Sequence, residues 1–226
     1  MGNNDPKKSV KEDRRDVFFG CLNDKLETEG YYDIPKIHGI HYEPHDAIRF
    51  SDITNSKYKN GSECVVHFYE DDYKFLRILN DPEKYLELLK KHDAVISPDF
   101  SLYKNKHVAE KIACTYINFK IGAWLQKNGI KVIPSVRLSG YESAAYALAG
   151  VPEGSTLAIG AHGCTKDLEN RPEFVEELKM IIEMKRPSNL IVYGSDAYGV
   201  FDYPRQLKIP VFVISPNSPE IGRAHV

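Results

Sequence analysis

The sequence predicts an α/β domain built on parallel strands, and three observations carry that prediction. Six short apolar runs recur after Gly61, and none alternates apolar with polar residues. A strand covered on both faces reads this way, as strands of a parallel sheet do. Helical patterns separate the runs, so the chain reads as repeated βα units. The 226 residues, 42% hydrophobic and 27% charged, suffice for one sizeable core and do not require two.

Two architectures fit: a (β/α) barrel, complete or incomplete, and an open doubly wound sheet. The barrel-like form is favoured, because each strand from Val65 onward ends in polar residues, as if feeding one common rim. An open sheet divides its strand ends around a switch point.

Residues 1–16 carry mixed charge without apolar spacing and are expected to be disordered. One α/β domain is expected over 17–219. Residues 17–62 are punctuated by Gly30, Pro35, Gly39, Pro44 and Gly61 and predict an irregular wrap with a short strand near Ala47–Phe50. Val65–Tyr69 is the first regular strand. Asp81-Pro82-Glu83 then marks a helix start, with an aspartate cap and proline in the first turn. Ala94–Ile96 is the next strand. A long helix over roughly 106–127 follows, with Val108, Ile112, Tyr116, Phe119, Ala123 and Trp124 at helical spacing and Asn128-Gly129 as its stop. The remaining units are strand Val132–Val136, short helix Glu142–Leu148, strand Thr156–Ile159, helix Pro172–Lys185, and strands Leu190–Tyr193 and Val211–Ile214. The last seven residues, Glu220 to Val226, match the in-frame translation of a sequencing-library adapter. The natural chain is therefore expected to be interrupted at about Pro219, and Arg223 and His225 receive no functional weight.

Thirty basic and 32 acidic residues leave a formal charge of -2, which is not that of a generally cationic nucleic-acid binder, although a local patch remains open. Cys21, Cys64, Cys114 and Cys164 show neither metal-ligand nor redox spacing and read as reduced thiols of a cytoplasmic protein. The N-terminus lacks the apolar stretch of a secretory signal, and no apolar run is long enough to span a membrane.

The strand ends supply the candidate site. Asp71 and Asp72 follow the first regular strand, Asp99 and Ser101 the second, Arg137 the third, His162 the fourth, and Ser195 and Asp196 the fifth. Asp99, His162 and Asp72 are the candidate catalytic groups. Arg137, Ser101, Ser195 and Asp196 are the candidate substrate-binding groups. Such a set holds a substrate anion on Arg137 while His162 and a carboxylate move protons. Against this stands the ordinary tendency of chains to turn toward solvent at strand ends.

Other motifs carry less. Gly160-Ala161-His162-Gly163 precedes a helix but matches neither a Walker loop nor a dinucleotide fingerprint, and a tight turn accounts for it. Cys164 is two residues from His162, and sequence neighbours seldom have the geometry of a catalytic pair. His38, His41 and His45 are close in sequence but lie on an irregular segment that does not fix three rings on one face, so no metal site is assigned. The acidic stretch Tyr69–Tyr73 suits magnesium chelation with a substrate phosphate, but a solvated loop is the commoner explanation. The 14 tyrosines form no aromatic-plus-basic ladder for single strands.

Several blocks taken together resemble one family. They are Tyr32-Asp33-Ile34-Pro35, Val66 to Phe75, Ser97-Pro98-Asp99-Phe100-Ser101-Leu102-Tyr103, Gly122-Ala123-Trp124-Leu125-Gln126 with Asn128-Gly129-Ile130, Val132-Ile133-Pro134, and Val151 to Thr156. The chain is similar, from about Tyr32 to Tyr193, to the bacterial and phage family called domain of unknown function 4417. That resemblance implies a phage or mobile-element setting and names no reaction. Asp71, Asp72, Asp99 and Ser101 fall inside matching blocks, and the three N-terminal histidines do not. Members often carry tryptophan after the third strand where this chain has Leu138, so no aromatic role is carried over there.

Two functions are therefore expected to compete. One is an enzyme acting on a small or phosphate-bearing substrate at the rim, with no cofactor identified. The other is a non-catalytic accessory factor of a mobile element that binds nucleic acid or a replication protein, although charge does not indicate nucleic acid.

Overall fold

In the computed structural model, seven parallel strands lie side by side in the order in which the chain makes them. The structure describes residues 22, 25–162, 164, 170–216 and 221–223. The expected disordered segment 1–16 and most of the 220–226 tail lie outside the described residues. A short antiparallel ribbon, β1 (Thr28–Glu29) and β2 (Ile34–Pro35), opens the described chain. The parallel strands are β3 (Ala47–Arg49), β4 (Ser62–His67), β5 (His92–Ile96), β6 (Val132–Ile133), β7 (Thr156–Gly160), β8 (Asn189–Tyr193) and β9 (Val211–Ile214).

Ladders join β3 to β6 and β7 to β9. The two groups meet at a single parallel bridge, Ser135 to Ala158. The expected strand Val132–Val136 is interrupted there, because Pro134 has no N–H to give. Its carbonyl accepts from Ala158 N at 2.9 Å, and Val136 N donates to the Ala158 carbonyl at 2.9 Å. Among the described residues no ladder joins β3 to β9, so the barrel-like sheet is incomplete. The free edge of β9 pairs instead with an antiparallel strand, β10 (Ile221–Arg223), which lies in the tail read as adapter sequence. Backbone pairing at an open edge makes little demand on side chains.

Side chains alternate between two cores, as the strand period of two requires. The inner core takes Ala47, Val65, Ala94, Ile133, Ala158, Ile191 and Ile214, at least one from each parallel strand. A convergent interior of this kind is what a curved, barrel-like sheet produces. The outer core takes their neighbours Ile48, Val66, Val95, Val132, Leu157, Leu190 and Val211, which face the helices. Each fully buried aliphatic side chain contributes about 1.5–3 kcal/mol.

The amino-terminal end of the interior is stoppered by the segment before β3. Tyr42 N donates to Thr156 Oγ1 at 2.8 Å, and Asn189 Nδ2 donates to the Tyr42 carbonyl at 2.8 Å. Thr156 N reaches the Ile40 carbonyl at 2.9 Å.

The connections carry α1 (Asp72–Phe75), α2 (Arg77–Asn80), α3 (Pro82–Leu89), α4 (Val108–Lys127), α5 (Ala144–Ala147), α6 (Arg171–Lys185) and α7 (Asp202–Gln206). Asp81 caps α3 by accepting from Lys84 N, as its sequence predicts. Glu110 turns back to accept from His107 N at 3.0 Å at the start of α4. Gly129, at φ +90°, ends that helix in the left-handed region. The helix expected over Glu142–Leu148 is a 3-10 turn at Tyr141–Ser143 followed by the single turn of α5. Among the described residues no helix is long and apolar enough to cross a membrane.

Candidate functional site

Because the strands are parallel and sequential, their carboxyl ends open on one side of the molecule. There a cavity of about 410 Å³ is lined by Arg49, Tyr69, Glu70, Asp71, Lys74, Asp99, Ser101, Tyr103, Arg137, Gly160, His162 and Tyr193. Its members follow or end β3, β4, β5, β7 and β8, or lie just beyond the Ser135 bridge.

The buried centre is Asp99, 8% exposed. Its Oδ2 accepts from Arg137 Nη2 at 2.6 Å, and its Oδ1 accepts from Arg137 Nε at 3.4 Å and Ser135 Oγ at 3.3 Å. Ser135 also meets the Tyr69 hydroxyl at 3.0 Å, and its N–H donates to Ser97 Oγ at 2.8 Å. The carboxylate beside Arg137 pushes the guanidinium further up from its ordinary value and outweighs the opposing effect of burial, so Arg137 is permanently cationic. Burial, reinforced by the Asp99 charge, pushes the Tyr69 phenol up, so Tyr69 stays neutral.

Gly160 makes this arrangement possible. A Cβ there would lie 2.6 Å from Arg137 Nη2 and 3.1 Å from Tyr69 Cε1. The strand therefore needs a residue without a side chain for the guanidinium to cross it.

An aromatic wall stands opposite. Tyr69 and Tyr193 stack with centroids 5.0 Å apart and planes at 13°. His67 lies 5.0 Å from the Tyr193 ring, and His162 approaches it at 6.0 Å. His67 is almost wholly buried, and burial with Arg49 nearby pushes its pKa down to about 3. It is a neutral structural ring. His162 is exposed and has no hydrogen bond among the described residues. Two further cations line the mouth, each held by an acid: Arg49 Nε lies 3.0 Å from Asp52 Oδ2 and Lys74 Nζ 2.9 Å from Asp71 Oδ2.

The fold brings together Asp71, Asp99, Ser101, Arg137 and His162 from the strand-end set. Asp72 stands outside the lining, where it accepts from Ser101 N and from Ser101 Oγ at 3.1 Å and so orients that residue. Ser195 caps its own turn through Ala197 N, and Asp196 pairs with Arg205 at 2.6 Å, so both are committed to local structure. Sequence reasoning did not find Arg49, Tyr69 or Tyr193. The tyrosines are hidden in apolar strand runs, while Arg49, a charge ending a short strand, was the available signal. His38, His41 and His45 form no cluster with other ligating groups among the described residues.

The fold and the rim cavity define a class: an α/β protein with an incomplete parallel barrel and its candidate site at the carboxyl ends of the strands. The chain belongs to the family described as "Domain of unknown function (DUF4417)", whose model matches residues 26–208. It is similar to the "Gene 1 protein" of Mycobacterium phage L5, 30% identical over 178 residues that cover 78% of each chain. It is also similar to the "Gene 1 protein" of Mycobacterium phage D29, 28% identical over 182 residues covering 80% of this chain and 67% of that one. The family is thus phage-associated. No solved structure matches the chain.

Proposed function

We propose that this protein is an enzyme that binds a small phosphate-bearing substrate in the rim cavity, with Arg137 as the anion clamp and His162 as the proton-carrying group. The observation that carries this reading is the Arg137–Asp99 pair. A guanidinium has five N–H donors in a rigid fork. Two of them point at Asp99, which fixes the plane of the group while Arg137 remains about a third exposed to the cavity. A guanidinium so oriented suits bidentate recognition of phosphate. Arg49 and Lys74 bring further N–H donors to the mouth, each already paired with an acid. Asp99, with both oxygens engaged, acts as a positioning residue. His162 is the exposed imidazole of the lining, and an imidazole positioned beside a bound substrate is a general acid or base.

Calorimetric titration with inorganic phosphate and pyrophosphate tests the clamp. Arg137→Gln is expected to weaken binding by about tenfold or more, since a charged hydrogen bond contributes about 1.5–3 kcal/mol. A screen of phosphate esters tests the chemistry: turnover is expected to be lost in His162→Asn with binding retained. Absence of phosphate binding by the folded wild-type protein overturns the reading.

A second reading, that the rim binds single-stranded nucleic acid, is favoured by one observation. The exposed rings of Tyr73, Tyr103 and Tyr198 each carry a cation on the face: Lys74, Lys106 and Arg171. Aromatic rings flanked by positive charge are a stacking platform for bases. A salt-sensitive gel shift with a single-stranded oligonucleotide, lost in Tyr103→Ala, would favour it over the enzyme.

A further inference from the structure

A second chamber of about 240 Å³ adjoins the rim cavity and shares Tyr103, Arg137 and Gly160 with it. Its character differs. Leu138, Ile159, Phe174, Leu178 and Ile181 give it apolar walls, and away from the shared Tyr103 and Arg137 its polar groups among the described residues are Cys164, Asn170, Lys104 and Glu177. Glu177 is half-buried; burial pushes its carboxyl up, and its Oε1 accepts from Gly140 N at 2.8 Å. Lys104 spans the outer side, where its Nζ meets Asn170 Oδ1 at 3.0 Å and Glu173 at 2.5 Å. That contact ties the loop after β5 to the start of α6. The two chambers together fall within the range of ~300–1,000 Å³ usual for small-molecule sites.

From this pairing we infer that the ligand is a nucleoside phosphate, its phosphate on Arg137 and its heterocyclic base in the apolar chamber. The inference rests on the reading of the rim cavity as a phosphate site. The ligand must be amphipathic, because a charged chamber and an apolar one meet at a single guanidinium. It is planar and polar-edged rather than a plain hydrocarbon, because the Glu177 carboxylate stands among the apolar walls. A base buries its faces against aliphatic and aromatic side chains while its edge hydrogen-bonds to such a group, which an alkyl chain does not do. Tyr103, at the junction, offers an exposed ring for stacking.

Calorimetry on the full chain tests this with inorganic phosphate, adenosine monophosphate, uridine monophosphate, hexyl phosphate and a 5′-phosphorylated single-stranded oligonucleotide. At least one nucleotide is expected to bind about tenfold or more tighter than inorganic phosphate. Cys164→Phe, which fills the apolar chamber, is expected to bring nucleotide affinity to within about twofold of phosphate and leave phosphate affinity unchanged. Tyr103→Ala, at an exposed position, is expected to weaken nucleotide binding by about fivefold or more. Nucleotides no tighter than phosphate, or hexyl phosphate as tight as either nucleotide, would overturn the inference while leaving the phosphate reading in place. Failure of every probe would overturn both. Tight binding of the oligonucleotide alongside the mononucleotide identifies a strand terminus as the source of the group; binding of the mononucleotide alone identifies a free nucleotide.

Discussion

Arg137 Nη2 lies 2.6 Å from Asp99 Oδ2, across the gap between two neighbouring strand ends. The two residues stand 38 positions apart in sequence, and the stretch between them includes α4, the longest helix among the described residues. Parallel strand order, rather than sequence proximity, makes the pair.

This pair predicts an asymmetry between variants. Arg137→Ala leaves Asp99 buried beside Ser135 without its cation. Loss of one partner of a fully buried pair costs about 3–5 kcal/mol; here the expected loss is nearer about 2–3 kcal/mol, because Arg137 is partly in solvent. The double variant Asp99→Leu/Arg137→Met is expected to recover most of that stability. Urea denaturation of the wild type, Arg137→Ala, Asp99→Leu, Arg137→Met and the double variant measures it, and additive losses of Asp99→Leu and Arg137→Met would contradict the pairing.

Gly160→Ala tests the crossing point. The new Cβ would meet the flexible end of Arg137, so the side chain moves while the strand stays. Phosphate affinity is expected to fall by about tenfold, with a stability change under ~1.5 kcal/mol. Calorimetry and thermal unfolding separate the two effects. A large loss of stability with affinity retained would place the constraint in the backbone.

His67 predicts acid sensitivity. Its folded pKa of about 3 lies well below the unfolded value of about 6.5. Between those values the unfolded chain binds a proton that the folded chain refuses. Stability is therefore full above about pH 6.5 and falls as pH drops toward 3, by up to ~1.4 kcal/mol per unit. His67→Phe is expected to flatten this dependence between pH 6 and 4 in urea titrations; an unchanged slope would assign it to other groups.

The stopper at the opposite end predicts a structural effect without a functional one. Asn189→Leu removes the donor to the Tyr42 carbonyl and the partner of Thr156 Oγ1. A loss of about 1–3 kcal/mol is expected, the cost of leaving buried polar groups unsatisfied. Phosphate affinity should not change. A coupled loss of binding would show that the two ends communicate.

Much of the fold was legible because local rules govern it. Apolar strand runs, the Asp81-Pro82 start and the Asn128-Gly129 stop depend on burial and backbone geometry within a few residues. The break at Pro134 and the helices α1, α2 and α7 were less legible, since each is short and held by packing rather than by period. Asp99, Ser101, Arg137 and His162 could be grouped because parallel strands deliver their ends to one rim. Asp72, Ser195 and Asp196 satisfy the same rule and face elsewhere, because a strand end fixes a position and not the direction of a side chain.

The sequence by itself determined the βα order, the doubly covered strands and the family to which the chain belongs. Only the tertiary structure decided that β3 and β9 do not pair with each other, that Gly160 lets Arg137 reach Asp99, and that Tyr69 and Tyr193 stack beside them. The physical reason is one of range. Hydrophobic period and turn chemistry are written over neighbouring residues, whereas sheet curvature and the meeting of side chains are sums over the whole core.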